Sequence, residues 1–239
     1  MARYEFAAPH LGGAVALEIA CGTGYGLRTL QSKARFLVAA DVDSGAARTA
    51  LEAMDRRRGG VLLADGTRLP FEDRRFGVVV SFETLEHLGE RRAFLREIAR
   101  CLRDDGLFLV STPNARYTLP IDGKPRNPFH VHEYTPEELR DELGAVFGEV
   151  DLRGQLLDNR YVVPPFQWDQ RDLRDPILRA GVLARRVLHR LPDATRDQLS
   201  DALWGHPFFP RAADYRFDSF GVAAAPVLVA LCRGPRRDP

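Results

Sequence analysis

Residues 15–26 limit the fold of this chain more than any other stretch. They read Val-Ala-Leu-Glu-Ile-Ala-Cys-Gly-Thr-Gly-Tyr-Gly, a short apolar run interrupted by Glu18 and followed by Gly22, Gly24 and Gly26. A strand buried in a parallel sheet has such a near-continuous apolar run, and a tight strand-to-helix turn has such glycines. Glycine takes positive φ without steric cost and lets a ligand approach the main chain closely. Leu27 to Gln31 then opens a helix whose N-terminus faces that ligand.

The same alternation repeats downstream. Arg35–Asp41 predicts a second strand ending in an acid, with a helix from Ser44 onward. Val61–Gly66 predicts a third strand ending in Asp65 and Gly66, and Arg75–Phe82 a fourth. A helix follows Gly89, with Phe94, Leu95, Ile98 and Leu102 on one face and arginines opposite. Leu107–Ser111 reads as the fifth strand and residues 115–134 as a loop rich in Pro, Gly and Asn. Thr135–Glu138 is a capping box with proline at the first helical position. Glu149–Arg153 and Ala225–Cys232 supply the last two strands. The pattern predicts an α/β fold with a mostly parallel seven-stranded sheet and helices on both faces.

Between those last two strands lies a long insertion, where a short hairpin would suffice. It divides the chain into a core over 1–154, an insertion over 155–222, and the last strand and tail over 223–239. An amphipathic helix is expected from Asp175 and Pro176 to about Arg190. Phe166, Trp168, Trp204, Phe208 and Phe209 around it need a core. A helical lid over the acceptor cleft accounts for both features, and a membrane-surface helix is the alternative.

A Gly-x-Gly-x-Gly loop alone serves a dinucleotide, S-adenosylmethionine (SAM) or a plain turn. The dinucleotide fingerprint places its third glycine one residue later. With Glu18 ahead of alternating glycines, the stretch resembles motif I of the class I SAM-dependent methyltransferases. The resemblance implies a Rossmann-like core that places Glu18 near the cofactor's amino group and the Gly22–Gly24 backbone, with Ala20, beneath its methionine part. It also implies contacts from Tyr4, from Val42 beside the second-strand acid, and from Ser81, and it sets Asp65 and Gly66 at the adenine. Asp41 at the end of the second strand suits ribose hydroxyls. An N-cap is the alternative role for Asp41, and Asp43 competes with it for the ribose.

A second constellation follows the fourth strand. Glu83, Glu86 and His87 are spaced i, i+3 and i+4, which puts them on one face if the segment is a helical turn. Two carboxylates and an imidazole beside a cofactor suit a divalent cation. With Ser111–Asn114 and the later His130, His132, Glu133, Tyr134 and Thr135, the pattern resembles the small-RNA 3′-terminal 2′-O-methyltransferases. That resemblance implies Glu83, Glu86, His87 and His130 as ligands of Mg²⁺, or Mn²⁺, with His132 a candidate base. Asn127-Pro-Phe-His130 is also similar to methyltransferases encoded with polysaccharide glycosyltransferases. Without a metal, His87 or His130 becomes the base.

An alcohol is a poor nucleophile while protonated, so it needs a base or a metal that lowers its pKa. The Glu and His group therefore points to oxygen as acceptor. The expected function is SAM-dependent O-methylation of a sugar or oligosaccharide hydroxyl with divalent-metal assistance. A phenolic, quinone or polyketide hydroxyl, an RNA 3′-terminal 2′-hydroxyl and a non-catalytic SAM-binding regulatory module are the alternatives. A net charge of +1 over 239 residues argues against nucleic acid, whose binders need a basic track. No apolar run is long enough to span a bilayer. Three widely spaced cysteines form no disulfide framework or zinc pattern, which fits a reducing cytoplasm. A homodimer is left open.

Overall fold

A computed structural model describes residues 1–158 and 188–237 of the chain. The strands are β1 (Val15–Ile19), β2 (Phe36–Asp41), β3 (Gly59–Leu63), β4 (Phe76–Phe82), β5 (Leu102–Pro113), β6 (Phe147–Leu157), β7 (Tyr215–Asp218) and β8 (Val227–Pro235). They form one sheet in the order β3-β2-β1-β4-β5-β8-β6-β7. β1 to β5 are parallel, and β8 runs antiparallel between β5 and β6. Strand order reverses between β1 and β4, and in doubly wound sheets ligands bind beyond the carboxyl ends at that point.

The sheet has eight strands where seven are expected. The extra strand, β7, is a four-residue alternation of aromatic and polar side chains at the edge of the sheet. Phe217 stacks on Phe6 with ring centroids 4.1 Å apart, which gives this short strand an apolar face to bury.

Period-two alternation divides the interior between the two faces of the sheet. Phe76 and Val79 of β4 and Phe108 and Val110 of β5 pack with Phe94, Leu95 and Ile98 of α4 (Arg91–Cys101). Leu139 and Leu143 of α6 (Pro136–Gly144) join the same side. Val78, Val80 and Phe82 of β4 face the other way. There they meet Tyr4 and Ala7 of α1 (Ala2–Ala7), Leu27 and Leu30 of α2 (Leu27–Gln31) and Ala50 of α3 (Ser44–Ala53). The capping box of α6 is formed as predicted, with Thr135 and Glu138 each accepting from the other's backbone N–H. The segment expected as a loop after β5 opens on a short helix, α5 (Ala115–Thr118), capped by Asn114.

The chain divides into two compact units, Met1–Leu156 with Phe217–Pro239, and Leu157–Arg216. In the second, a helix over Asp193–Trp204 ends at Gly205, whose left-handed conformation closes it. Arg196 pairs with Asp193 at 2.8 Å and lies over the ring of Phe209, which anchors the following turn. Phe166, Trp168 and all but the end of the helix expected over 176–190 lie outside the described residues. No described helix is long and apolar enough to cross a membrane.

Candidate active site

The site is built on the carboxyl ends of β1, β2, β4 and β5. Ala20 follows β1 with φ +57°, and Glu83 follows β4 with φ +53°. Left-handed backbone at non-glycine residues costs on the order of 1–3 kcal/mol and collects at functional sites. Here the two outliers flank the point where strand order reverses.

Glu18 is buried at the end of β1. Its Oε1 accepts a 2.6 Å hydrogen bond from the Tyr4 hydroxyl, while its Oε2, also buried, has no partner among the described residues. Burial raises its carboxyl to about 7, against the lowering effect of the Tyr4 bond. Tyr4 lies against Gly26, where an added Cβ would sit 2.1 Å from the ring. Gly22 has φ +53° and open space where a Cβ would point. Gly24 packs tightly on Leu27 and Ala50.

Asp41 is tied to the glycine loop. Its Oδ2 accepts from Gly22 N–H at 2.7 Å and its Oδ1 from Asp43 N–H at 2.9 Å. Asp43 is the residue that caps α3, accepting from Ala46 N–H. The two acids thus have separate structural positions, with Asp41, the one that spacing favours for the ribose, at the glycine loop. Asp65 is exposed and accepts at one oxygen from both the backbone and hydroxyl of Thr67, which holds its carboxyl below the usual range. Gly66 sits against Phe94 and Ile19, Val42 is exposed, and the buried Ser81 hydroxyl is bonded to Thr84 at 3.0 Å.

The second constellation forms in part. Leu85–His87 is a 3-10 turn, and the left-handed Glu83 reverses the chain ahead of it. The one-face spacing expected of a helical turn is therefore lost. Glu83 bonds Ser111 Oγ at 2.9 Å, 3.6 Å from the guanidinium of Arg3. Glu86, His87 and His130 converge, each offering a ligand atom within 4.8 Å of the others. Glu86 is buried and accepts from Thr112 Oγ1 at 2.9 Å. Burial, then the neighbouring Glu83 charge, raises its carboxyl well above the usual range. Its backbone carbonyl accepts from Val131 and His132 N–H, which fastens the distant loop to the end of β4.

Both imidazoles are oriented through Nδ1. His87 donates to the Phe129 carbonyl at 2.9 Å, and His130 donates to Glu133 Oε1 at 2.7 Å. Glu133 is itself buried and accepts from Thr118. Nε2 is left in each ring for a proton or a metal, although that of His130 lies 2.9 Å from the Asn127 amide. An imidazole held by an oxygen at its other nitrogen is the usual state of a histidine ligand. One carboxylate and two imidazoles suit Mn²⁺ or Zn²⁺ better than Mg²⁺. His132 is not brought to this group. Its ring meets Tyr134 edge-on, in a cavity of about 950 Å³ that Arg91, Arg96 and Glu142 also line.

Glu133 enters the sequence pattern only as a neighbour of His130 and His132, yet it orients His130. The His130-x-x-Glu133 spacing was the available signal. Thr112 and Asn127 lie within the Ser111–Asn114 and Asn127–His130 motifs, but those motifs do not specify their bonds to Glu86 and to His130 Nε2.

A doubly wound sheet with a glycine loop at its strand reversal and an orphaned buried carboxylate oxygen defines a class I methyltransferase core. The residues fit SAM, because a cationic amino group would satisfy Glu18 Oε2 and the open face of Gly22 admits a ligand against the backbone.

Comparison with known proteins agrees. A family model described as a methyltransferase domain matches residues 17–110. A probable SAM-dependent methyltransferase of Mycobacterium tuberculosis is 38% identical over 154 residues, 63% of this chain and 55% of the relative, so the chain spans about half of that protein's length. A demethylmenaquinone methyltransferase of Mycolicibacterium paratuberculosis is 35% identical over 195 residues, 75% of this chain and 77% of the relative. A Thermotoga maritima structure titled as a SAM-dependent methyltransferase, possible histamine N-methyltransferase, shares the fold with a TM-score of 0.60 at 16% identity, covering 98% of this chain and 89% of the other. The chain belongs to the SAM-dependent methyltransferases.

Proposed function

We propose that this enzyme methylates a hydroxyl oxygen, using His130 as the base and Glu133 to support it. The observation that carries the reading is the Nδ1 hydrogen bond from His130 to the buried Glu133, beside His87 and Glu86. SAM, when bound, supplies an electrophilic methyl group. Glu18 holds the amino end of the cofactor, Asp41 its ribose and the Gly22–Gly24 backbone its methionine part. His130 Nε2, once released by Asn127, takes the acceptor proton, and Glu133 stabilises the resulting imidazolium at Nδ1. Amine or thiol acceptors would need little of this apparatus.

A cation is the second route to the same chemistry. Glu86, His87 and His130 would hold it, and it would act as a Lewis acid that lowers the pKa of the acceptor hydroxyl. The two routes compete for His130 Nε2, so chelation separates them. Turnover that survives exhaustive chelation assigns His130 as base, and turnover restored by Mn²⁺ or Zn²⁺ assigns the cation.

For the acceptor, a phenolic or quinol hydroxyl is favoured. The similar Azorhizobium caulinodans protein named a ubiquinone biosynthesis O-methyltransferase, 30% identical over 156 residues, supports it. So do the exposed Phe129 and Val131 beside the two histidines. A carbohydrate hydroxyl is the second reading, supported by the Asn127–His130 motif. A radiolabelled-SAM screen over catechols, quinols and oligosaccharides tests both. Glu133→Gln is expected to lower turnover by about 10²-fold or more, the usual scale of general-base support, with SAM affinity unchanged. An unchanged rate in that variant would remove the base assignment.

A further inference from the structure

The loop from Leu119 to Val131 holds four large apolar side chains in solvent. Leu119 is 50% exposed, Ile121 57%, Phe129 78% and Val131 57%. Scattered apolar residues are normal on a protein surface, but four on one short segment are a patch that asks for a partner.

This segment has a defined conformation. Ile121 and Lys124 exchange backbone hydrogen bonds of 3.0 and 2.9 Å across Asp122 and Gly123. Both central residues have positive φ, as a type I′ hairpin turn requires. The Arg126 guanidinium closes the base of the finger on the Leu119 carbonyl at 2.9 Å. The far end is fastened to the active site, with Val131 N–H on the Glu86 carbonyl and the Phe129 carbonyl on His87. Lys124 and Arg126, both exposed, alternate with the apolar residues along this segment, and Asp122 is the one exposed acid between Leu119 and Val131.

We propose that this finger docks on the surface of a bilayer containing anionic lipid. Ile121 and Phe129 enter the headgroup–acyl boundary, while Lys124 and Arg126 stay at the level of the phosphates. Exposed apolar side chains interleaved with long cations suit an interface that is apolar on one side and anionic on the other. Because the root of the finger carries His130 and is bonded to His87, docking would bring the site to an acceptor dissolved in the membrane. This extends the phenolic-acceptor reading, but its test involves no methyl transfer, so the two fail separately.

The test is vesicle co-sedimentation of the full chain with phosphatidylcholine alone and with added phosphatidylglycerol. The wild type is expected to bind the mixed vesicles more strongly than the zwitterionic ones. Lys124→Glu should weaken that binding by well over fivefold, because about fivefold is expected for each basic residue lost and the substitution also adds a repelled charge. Ile121→Ser with Phe129→Ser should abolish binding to both vesicle types, and SAM affinity by calorimetry confirms that the variant is folded. The proposal is overturned if the wild type stays in solution with both vesicle types, or if the double variant binds as the wild type does. Light scattering on the same samples tests another occupant. A wild-type dimer that dissociates in the double variant, with no vesicle binding, would assign the finger to a second copy of the chain and overturn the membrane proposal.

Discussion

Glu18 combines a buried oxygen that has no partner among the described residues with a carboxyl raised by desolvation. Its folded-state pKa of about 7 lies above the ordinary 4.5, so between those values the folded chain holds a proton that the unfolded chain gives up. The stability contributed by this group is therefore complete below pH 4.5 and is lost as pH rises through about 7. A cationic ligand group reverses the preference, so SAM should bind more tightly as pH rises through the same window and should release a proton. Calorimetry in buffers of different ionisation enthalpy reads that proton directly. Glu18→Gln is expected to flatten the pH dependence of both melting temperature and affinity. It should also weaken SAM binding by about 1–3 kcal/mol, the range for a charge-assisted hydrogen bond. Wild-type pH slopes that persist in Glu18→Gln would show that another group titrates.

The glycine turn between β1 and α2 separates packing from ligand access. A Cβ on Gly26 would strike the Tyr4 ring, which belongs to α1 and is bonded to Glu18. Gly26→Ala is therefore expected to cost about 1–3 kcal/mol of stability by overpacking and to displace α1, which chemical denaturation would report. Gly22→Ala meets no protein atom but must keep a left-handed backbone, as the neighbouring Ala20 already does. Its stability loss should be about 1–2 kcal/mol, while its loss of SAM affinity should exceed that of Gly26→Ala. On the other side of the sheet, Thr135→Ala removes the cap of α6 and should cost about 1 kcal/mol with SAM affinity unchanged.

The first compact unit contains both faces of the core and every residue assigned here to SAM or to the base. Replacing residues 157–216 with a short flexible linker should accordingly leave SAM affinity unchanged. Turnover of the acceptor is expected to be lost, on the proposal that the long insertion covers the acceptor. Full activity in the shortened chain would show that the insertion serves some other purpose. A fall in SAM affinity would show that the core needs the second unit to fold.

The glycine spacing, the apolar strand runs and the acids at their ends were enough to read a SAM-dependent methyltransferase from the chain, because strand burial and turn geometry are dictated locally. The capping box of α6 was legible for the same reason. Three things depended on tertiary structure. Spacing from the glycine loop favours Asp41 over Asp43 for the ribose, but only the approach of Gly22 to one and Ala46 to the other shows which backbone each acid holds. Glu83 has a positive φ and bonds Ser111, and the ligand atoms that converge are those of Glu86, His87 and His130. His130 and His132 are two residues apart, yet the Glu86 carbonyl fixes the loop so that one joins His87 and the other joins Tyr134. Side-chain direction there is set by a backbone hydrogen bond to a residue more than forty positions away, and no local periodicity records it.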